Sequence, residues 1–173
     1  MSDAVLEQLI NEVTSLRREV EALKTADRAA CKFLAYNAGA DTDFLGDNTP
    51  VTIQNDNEVF DLGGDYNTGT YTFTAPVTGK YLLGAAVFIY GLVAGQTLLT
   101  VDIVTSNRTY RLFQGDPPHD AANQIVVSGV TLADMDATDT AYLEANVGPA
   151  GQPKTADVYA GVQFVRFWGF RIA

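Results

Sequence analysis

Residues 66–81 read YNTGTYTFTAPVTGKY, and this stretch decides the fold class of the chain. In Thr70–Thr74, threonines alternate with Tyr71 and Phe73, so the two aromatic rings share one face of an extended strand. Asn67-Thr68-Gly69 supplies the residue types that tight turns require just before it. The stretch therefore predicts a half-buried β-strand that follows a turn.

The remainder of the chain after residue 31 repeats this pattern. Leu99–Ile103 and Leu143–Val147 alternate apolar with polar residues, and segments rich in Gly, Asn, Asp and Pro separate the candidate strands. Helices do not alternate with these strands, so the sheets should be antiparallel, with about eight to ten strands in the available length. The last predicted strand, Val158–Ile172, is apolar on both faces, which places it inside a sandwich or against a neighbouring subunit.

The first thirty residues follow a different period. Apolar residues recur alternately three and four positions apart, as along the seam of a coiled coil, at Leu6, Leu9, Val13, Leu16, Val20 and Leu23. The next seam position is Asp27, so the seam should end between Leu23 and Asp27. We expect a coiled-coil stalk over residues 1–30 and a β head over residues 31–173.

Charges beside the seam favour parallel helices in register. Glu12 and Glu19 lie five residues before Arg17 and Lys24, the spacing at which charges on neighbouring parallel helices pair. Valine and leucine in the seam favour two strands, whereas Ile10 widens the apolar stripe and favours three. The alternative is an amphipathic helix that packs on its own head.

Composition narrows the functional classes. The net charge of −10 argues against nucleic-acid binding and against attraction to an anionic membrane. Neither a secretory signal nor a membrane-spanning run is evident, so we do not expect secretion by the general route. Cys31 is the single cysteine, and we interpret it as a reduced, partly buried thiol rather than an interchain disulfide.

Residues 66–81 also resemble the signature of the complement C1q globular-head family, which is related to the tumour necrosis factor (TNF) fold: an aromatic and a glycine, then Phe-Thr-x-Pro-x-x-Gly-x-Tyr. Weaker matches occur at Val127–Gly129, Thr140–Glu144 and Phe167–Phe170. The resemblance covers roughly residues 31–173. It implies a mainly β, ten-stranded antiparallel jelly-roll sandwich that forms a homotrimer, and so favours three helices in the stalk.

The chain departs from secreted members of that family, which carry a signal peptide and often a Gly-X-Y collagen stalk. By analogy, a short coiled coil before such a head is typical of a minor structural protein of a bacterial virus. We therefore expect a virion protein made in the host cytoplasm, whose stalk contacts other virion proteins.

Candidate chemical sites are few. His119 is the single histidine and lies in a Gly- and Pro-rich loop, without the pattern of a catalytic serine or of a metalloenzyme. Three clustered carboxylates are weak calcium candidates, because some complement-type heads bind calcium: Asp134, Asp136 and Asp139. Their spacing favours a solvated acidic turn, and the same interpretation applies to Asp41, Asp43 and Asp47. We expect no cofactor.

Aromatic residues give a second set of candidates. Tyr90, Tyr110 and Tyr159 could contact a carbohydrate or protein ligand, although packing is the ordinary role of tyrosine in strands.

These observations predict a non-enzymatic homotrimeric spike or fibre protein. Its head would recognise a host-surface glycan or protein, and its oligomer contacts would include the stalk seam together with Phe164, Trp168 and Phe170. The alternatives are a capsid decoration protein that binds no host, a cellular signalling or spore-surface trimer, and a jelly-roll depolymerase in which Asp102 and Glu144 meet in a cleft.

Overall fold

The computed structural model describes residues 3–29, 31–119 and 123–172, which form one helix followed by a β-sandwich. The helix, α1, spans Asp3–Ala29. The strands are β1 Lys32–Tyr36, β2 Asp41–Leu45, β3 Val51–Thr52, β4 Asn57–Leu62, β5 Tyr66–Asn67, β6 Thr72–Thr74, β7 Gly79–Tyr90, β8 Leu98–Thr105, β9 Thr109–Gly115, β10 Gln124–Met135, β11 Thr140–Gly148, β12 Ala156–Val158 and β13 Arg166–Arg171.

The strands form two antiparallel sheets. The seven-stranded sheet has the order β2-β12-β7-β13-β1-β4, and β10 pairs with the remaining edge of β7 along the whole length of both strands. The six-stranded sheet has the order β5-β6-β11-β8-β9, with β3 beside β11. The predicted antiparallel sandwich is therefore confirmed.

An aromatic cluster between the sheets forms the centre of the core. The ring of Phe33 stacks on Phe73 at 4.7 Å between centroids and meets Phe167 edge-on at 5.0 Å. The hydroxyl of Tyr81 donates to the carbonyl oxygen of Val77 at 2.6 Å, which satisfies the polar end of a buried ring. Of the aromatic residues in the stretch 66–81, Tyr66, Phe73 and Tyr81 therefore pack inside the sandwich.

Two details of the predicted strands are wrong. Residues 158–172 do not form one strand: β12 ends at Val158, turns follow, and β13 begins at Arg166. Tyr71 lies just before β6 with a φ of 60°, so its ring does not share a strand face with Phe73. A residue with positive φ leaves the pleated conformation, and the alternation that the sequence shows there ends with it.

The stalk helix does not pack on its own head. Every side chain from Asp3 to Lys24 is exposed, including all six of the predicted seam. The side chain of Asp27, where the seam should end, lies outside the described part of the chain. In the described residues no helix has the length and hydropathy needed to cross a membrane.

The start of β1 and the end of β13 lie side by side, so both ends of the head are at the same end of the seven-stranded sheet. The backbone amide of Arg171 donates to the carbonyl oxygen of Cys31 at 3.2 Å, and the amide of Ile172 donates to the carbonyl oxygen of Lys80 at 2.7 Å. The stalk therefore joins the sandwich beside its last strand, through β1, which pairs with β13 on one side and β4 on the other.

Candidate self-association site

The outer face of the seven-stranded sheet is apolar, and we call it the apolar face. Its side chains come from β10, β7, β13, β1 and β4, whose registers align them in rows across the sheet. The row that crosses its centre, which we call the apolar row, is Val130, Gly84, Trp168, Leu34 and Phe60.

The next row of the apolar face lies nearer the stalk. Leu132, Leu82 and Phe170 follow one another from β10 to β13, and Lys32 and Leu62 complete the row. Leu132 is 63% exposed and Leu62 is 53% exposed. Successive side chains of a strand point to opposite faces of the sheet, so the alternate residues of these strands fill the core. The residues of the apolar face are therefore not needed for the core. A contiguous apolar surface of this kind marks an interaction site.

Trp168 is the centre of the apolar face. Its indole ring lies directly over Gly84, and a methyl group on that glycine would collide with the ring. The glycine thereby lets a large ring lie flat against the sheet instead of projecting from it. Next to the ring is an open groove of about 320 Å³, lined by Leu34, Phe60 and Phe170 among others.

Phe164 occupies a different place from Trp168 and Phe170. It lies in the turn before β13 and is partly buried. It belongs to an aromatic cluster that lies further along β7 from the apolar row. Its ring is 4.7 Å from that of Tyr159 and 5.5 Å from that of Phe88, measured between centroids. The sequence placed Phe164 on the final strand together with Trp168 and Phe170, and this placement is wrong because the strand is interrupted.

The stalk presents a second apolar surface. The seam residues remain between 43% (Val13) and 69% (Leu23) exposed, and Ile10 beside them is 56% exposed. Because the chain itself covers none of this apolar stripe, other helices can bind it without displacing a contact within the chain. Lys24, predicted to pair between helices, donates to Glu21 of its own helix at 3.0 Å.

The candidate calcium ligands serve separate local contacts. Asp134 pairs with Lys80 at 2.6 Å, and Asp136 accepts a hydrogen bond from the hydroxyl of Thr78. Asp139 accepts from the side chain of Asn107 at 2.6 Å and from the amide of Asp136 at 2.7 Å. No group of three or more potential metal ligands occurs among the described residues.

The second acidic set behaves similarly. Asp41 accepts from the side chain of Asn37 at 2.7 Å, and burial raises the pKa of its carboxyl. Asp43 has a φ of 51° and donates its amide to Asp157, while Asp47 accepts from the amide of Gly151 at 2.8 Å. These carboxylates hold loops in place.

The other single candidates also have structural contacts. His119 lies 3.1 Å from the carboxylate of Asp116. Cys31 is buried, which raises the pKa of its thiol, with Asp65 adding to the effect. Tyr110 packs against the core, and the rings of Tyr90 and Tyr159 meet edge-on at 5.2 Å. These tyrosines therefore have packing contacts, although Tyr159 is still 40% exposed.

Asp102 and Glu144 do meet, as the depolymerase alternative requires, but on the outer face of the six-stranded sheet. They are direct partners across β8 and β11. Both oxygens of Asp102 accept hydrogen bonds from Arg111, at 2.9 and 3.0 Å. Arg111 could not be placed beside Asp102 from the sequence, because a bulge between Val101 and Asp102 changes which residue of β9 pairs with Asp102.

Comparisons with known proteins agree with this architecture. The globular domain of zebrafish complement 1qA protein superposes with a TM-score of 0.55 at 20% identity, covering 83% of this chain and 98% of that one. The head has a C1q/TNF-like jelly-roll fold. Murine APRIL at pH 8.5 gives a TM-score of 0.54 at 11% identity, covering 82% of this chain and 98% of its own.

A second murine APRIL structure, at pH 5.0, gives a TM-score of 0.55 at 12% identity, covering 83% of this chain and 99% of its own. No family model and no curated protein matches the sequence. At these identities the likeness concerns the fold of the head.

Proposed function

We propose that this protein is a non-enzymatic homotrimer in which both apolar surfaces are buried between copies. Three stalk helices form a parallel coiled coil, and the apolar faces of three heads meet around the same axis. The observation that carries the proposal is that the strand after the helix in the chain is β1, which contributes Lys32 and Leu34 to the rows of the apolar face.

Energetics favour burying the two surfaces together. A coiled coil of three heptads is marginal alone, since short helices gain little from propensity and few seam contacts. The apolar face adds Val130, Leu132 and Phe60, which are 59%, 63% and 43% exposed in the single chain. Covering such residues releases roughly 25 cal/mol for each Å² of apolar surface. The head therefore adds to the association energy of the stalk, and the stalk sets the parallel orientation.

Sedimentation velocity at micromolar concentration tests this proposal. We expect a species of three times the 18.6 kDa chain mass. Replacing both Leu16 and Val20 with Asp places six charges inside the coil and should weaken assembly. Exchanging the exposed Glu7 and Glu21 for Asp is the matched control and should leave the mass unchanged. A wild-type protein that sediments as a monomer would contradict the proposal.

At a finer level, we propose that the trimer is a spike or fibre of a bacterial virus whose heads recognise a molecule on the host surface. Support for the particle comes from the analogy between a short coiled coil with a jelly-roll head and minor virion proteins. Three heads per spike would turn weak contacts into avid attachment. Deleting the gene should reduce adsorption of particles without reducing their stability. The opposite result would identify a capsid decoration protein instead.

A further inference from the structure

The outer face of the six-stranded sheet has the reverse chemistry of the apolar face. Arg111 on β9 is the partner of Asp102 on β8, Asp102 is the partner of Glu144 on β11, and Glu144 is the partner of Thr52 on β3. We call these four residues the polar row. They share one face because direct cross-strand partners point to the same side of a sheet.

A bulge brings a fifth polar residue to the polar row. Asp102 pairs with Arg111 while Val101 pairs with Phe113, so one residue of β9 is skipped. Arg111 and Gln114 consequently point to the same face, and a guanidinium N–H of Arg111 donates to the side-chain oxygen of Gln114 at 2.5 Å. The amide nitrogen of Gln114 remains as a donor beside the row.

The carboxylate of Asp102 fixes the arginine. The side chain of Asp102 is only 5% exposed although it lies on an outer face, while that of Arg111 is 46% exposed. The paired hydrogen bonds form a bidentate contact that fixes the guanidinium against the carboxylate, in a geometry that loses little further entropy on binding. Two N–H groups of Arg111 stay available, because three of its five are used.

Glu144 is the available acceptor of the polar row. It is half-buried and forms no hydrogen bond or ion pair with the part of the chain that the structure describes. Burial, together with the charge of Asp102, raises the pKa of its carboxyl, whereas Arg111 lowers it. Glu144 thus presents two acceptor oxygens close to the donors of Arg111 and Gln114.

The neighbours of Glu144 on β11 add a ring and an amide to this surface. Tyr142 and Asn146 lie two residues to either side, on the same face and half-buried. The side-chain nitrogen of Asn146 donates to Asn48 at 3.0 Å, and its side-chain oxygen is buried without a hydrogen-bond partner among the described residues. The hydrogen bond to Asn48 therefore fixes the side chain of Asn146 on the same face as Glu144.

We propose that the polar row, with Gln114, Tyr142 and Asn146, is a binding site for an uncharged carbohydrate. A sugar hydroxyl donates and accepts at once, which suits a surface that carries the carboxylate of Glu144 together with guanidinium and amide donors. A tyrosine ring next to such groups can stack on the apolar face of a pyranose. An anionic ligand is disfavoured by the second carboxylate of the row and by the chain's net charge of −10.

The site rests on the proposed trimer in one respect. Assembly through the apolar face leaves the opposite sheet of each head outward, so a trimer presents three copies of the polar row. Weak single-site affinity for a sugar is then multiplied by avidity for a glycan-coated surface.

The experiment is binding of the intact trimer to immobilised oligosaccharides of neutral hexoses, N-acetylhexosamines and hexuronates, with a polylysine surface as the cationic probe. We expect binding to a neutral or N-acetylated sugar. Glu144→Ala and Tyr142→Ala should each weaken it about tenfold or more, as residues that carry binding energy do. Glu58→Ala, which removes an exposed strand carboxylate from the opposite sheet, should leave it unchanged.

Four outcomes would overturn the site: no sugar bound by an intact trimer, affinity unaffected by both substitutions, binding to polylysine alone, or release of reducing ends, which would indicate a hydrolase. Each sugar that binds is then titrated in solution into the Leu16→Asp/Val20→Asp protein, in which assembly should be weakened. If this variant binds the sugar with the same single-site affinity as the wild-type protein, the site does not depend on the trimer, so failure of the trimer and failure of the site can be told apart.

Discussion

The two outer faces of the sandwich have the same geometry and opposite chemistry. The apolar row crosses five strands with an indole at its centre, and the polar row crosses four strands with the ion pair of Asp102 and Arg111 at its β9 end. Both groups are held in place, the indole over Gly84 and the guanidinium by two hydrogen bonds to Asp102.

The difference shows how one fold can separate assembly from recognition. An apolar row gains by being covered by any surface of matching shape, which suits contacts between identical subunits. A polar row with fixed donors and acceptors gains only from a ligand that satisfies them, which suits discrimination between ligands. Substitutions in the two rows should therefore fail in different ways, and four predictions follow that contrast.

Val130→Asp should have the largest effect, because it places a charge in the apolar row. Val130 is 59% exposed in the single chain, so the substitution costs the folded subunit little. In the assembly it would bury an unpaired charge, which costs several kcal/mol per copy. We expect a folded monomer by light scattering at micromolar concentration. The control is Thr109→Asp, which changes an exposed residue of β9 and should leave the protein a trimer. If the Val130→Asp protein were also a trimer, the apolar face would not be part of the interface between subunits.

Arg111→Leu should unfold the head more readily without dissociating it. The change leaves Asp102 nearly buried and without its cation. Losing one partner of a buried pair costs about 3–5 kcal/mol, and the exposure of Arg111 reduces this to roughly 2 kcal/mol. Urea unfolding at fixed protein concentration measures it. Arg108→Leu, an exposed arginine on the neighbouring turn, should change stability by less than about 0.5 kcal/mol. Equal losses for the two variants would mean that the ion pair does not stabilise the head.

Gly84→Ala should displace the indole of Trp168 and so affect stability and assembly together. Overpacking of this kind costs about 1–3 kcal/mol, which lowers the melting temperature by roughly 2–4 °C per kcal/mol for a chain of this size. Calorimetry and sedimentation of the same sample give both quantities. At Gly39 an added Cβ meets nothing within 4 Å, so Gly39→Ala is the control. A Gly84→Ala protein as stable as that control would show that the indole moves without cost.

Glu144→Gln should have the smallest effect, with a sign that depends on pH. Because the folded pKa of Glu144 is raised, its ionised form destabilises the fold at pH values above that pKa. The penalty disappears as pH falls below the unfolded value of about 4.3. The glutamine protein should therefore be more stable than wild type at pH 7, by less than about 1 kcal/mol, and equal to it near pH 3.5. A difference in melting temperature that does not change between these pH values would contradict this assignment.

Much of the fold could be predicted from local periodicity. The stalk and the strands β8 and β11 each repeat one simple pattern over enough residues to fix their type, and Leu99, Val101 and Leu143 are fully buried as expected. The predicted final strand failed because residues 159–165 carry apolar side chains through turns. Composition alone cannot separate an apolar turn from an apolar strand.

The two rows were harder to predict than the fold. Trp168 and Phe170 were placed at an interface from their apolar character, but Val130 and Leu132 were not, because β10 also carries small and polar residues that hide its outward parity. Asp102 and Glu144 could be suspected of meeting, since both occupy polar positions of alternating strands. Arg111 and Gln114 could not be added to them, because the bulge that unites these residues leaves no local mark in the sequence.

The position of β1 has a mechanical consequence. A pull transmitted along the stalk enters the head at the first residues of β1, a strand hydrogen-bonded to β13 on one side and to β4 on the other. Such a load acts along the strand and shears both ladders at once, so several hydrogen bonds must break together rather than one after another. The joint between stalk and head is thereby suited to sustaining tension.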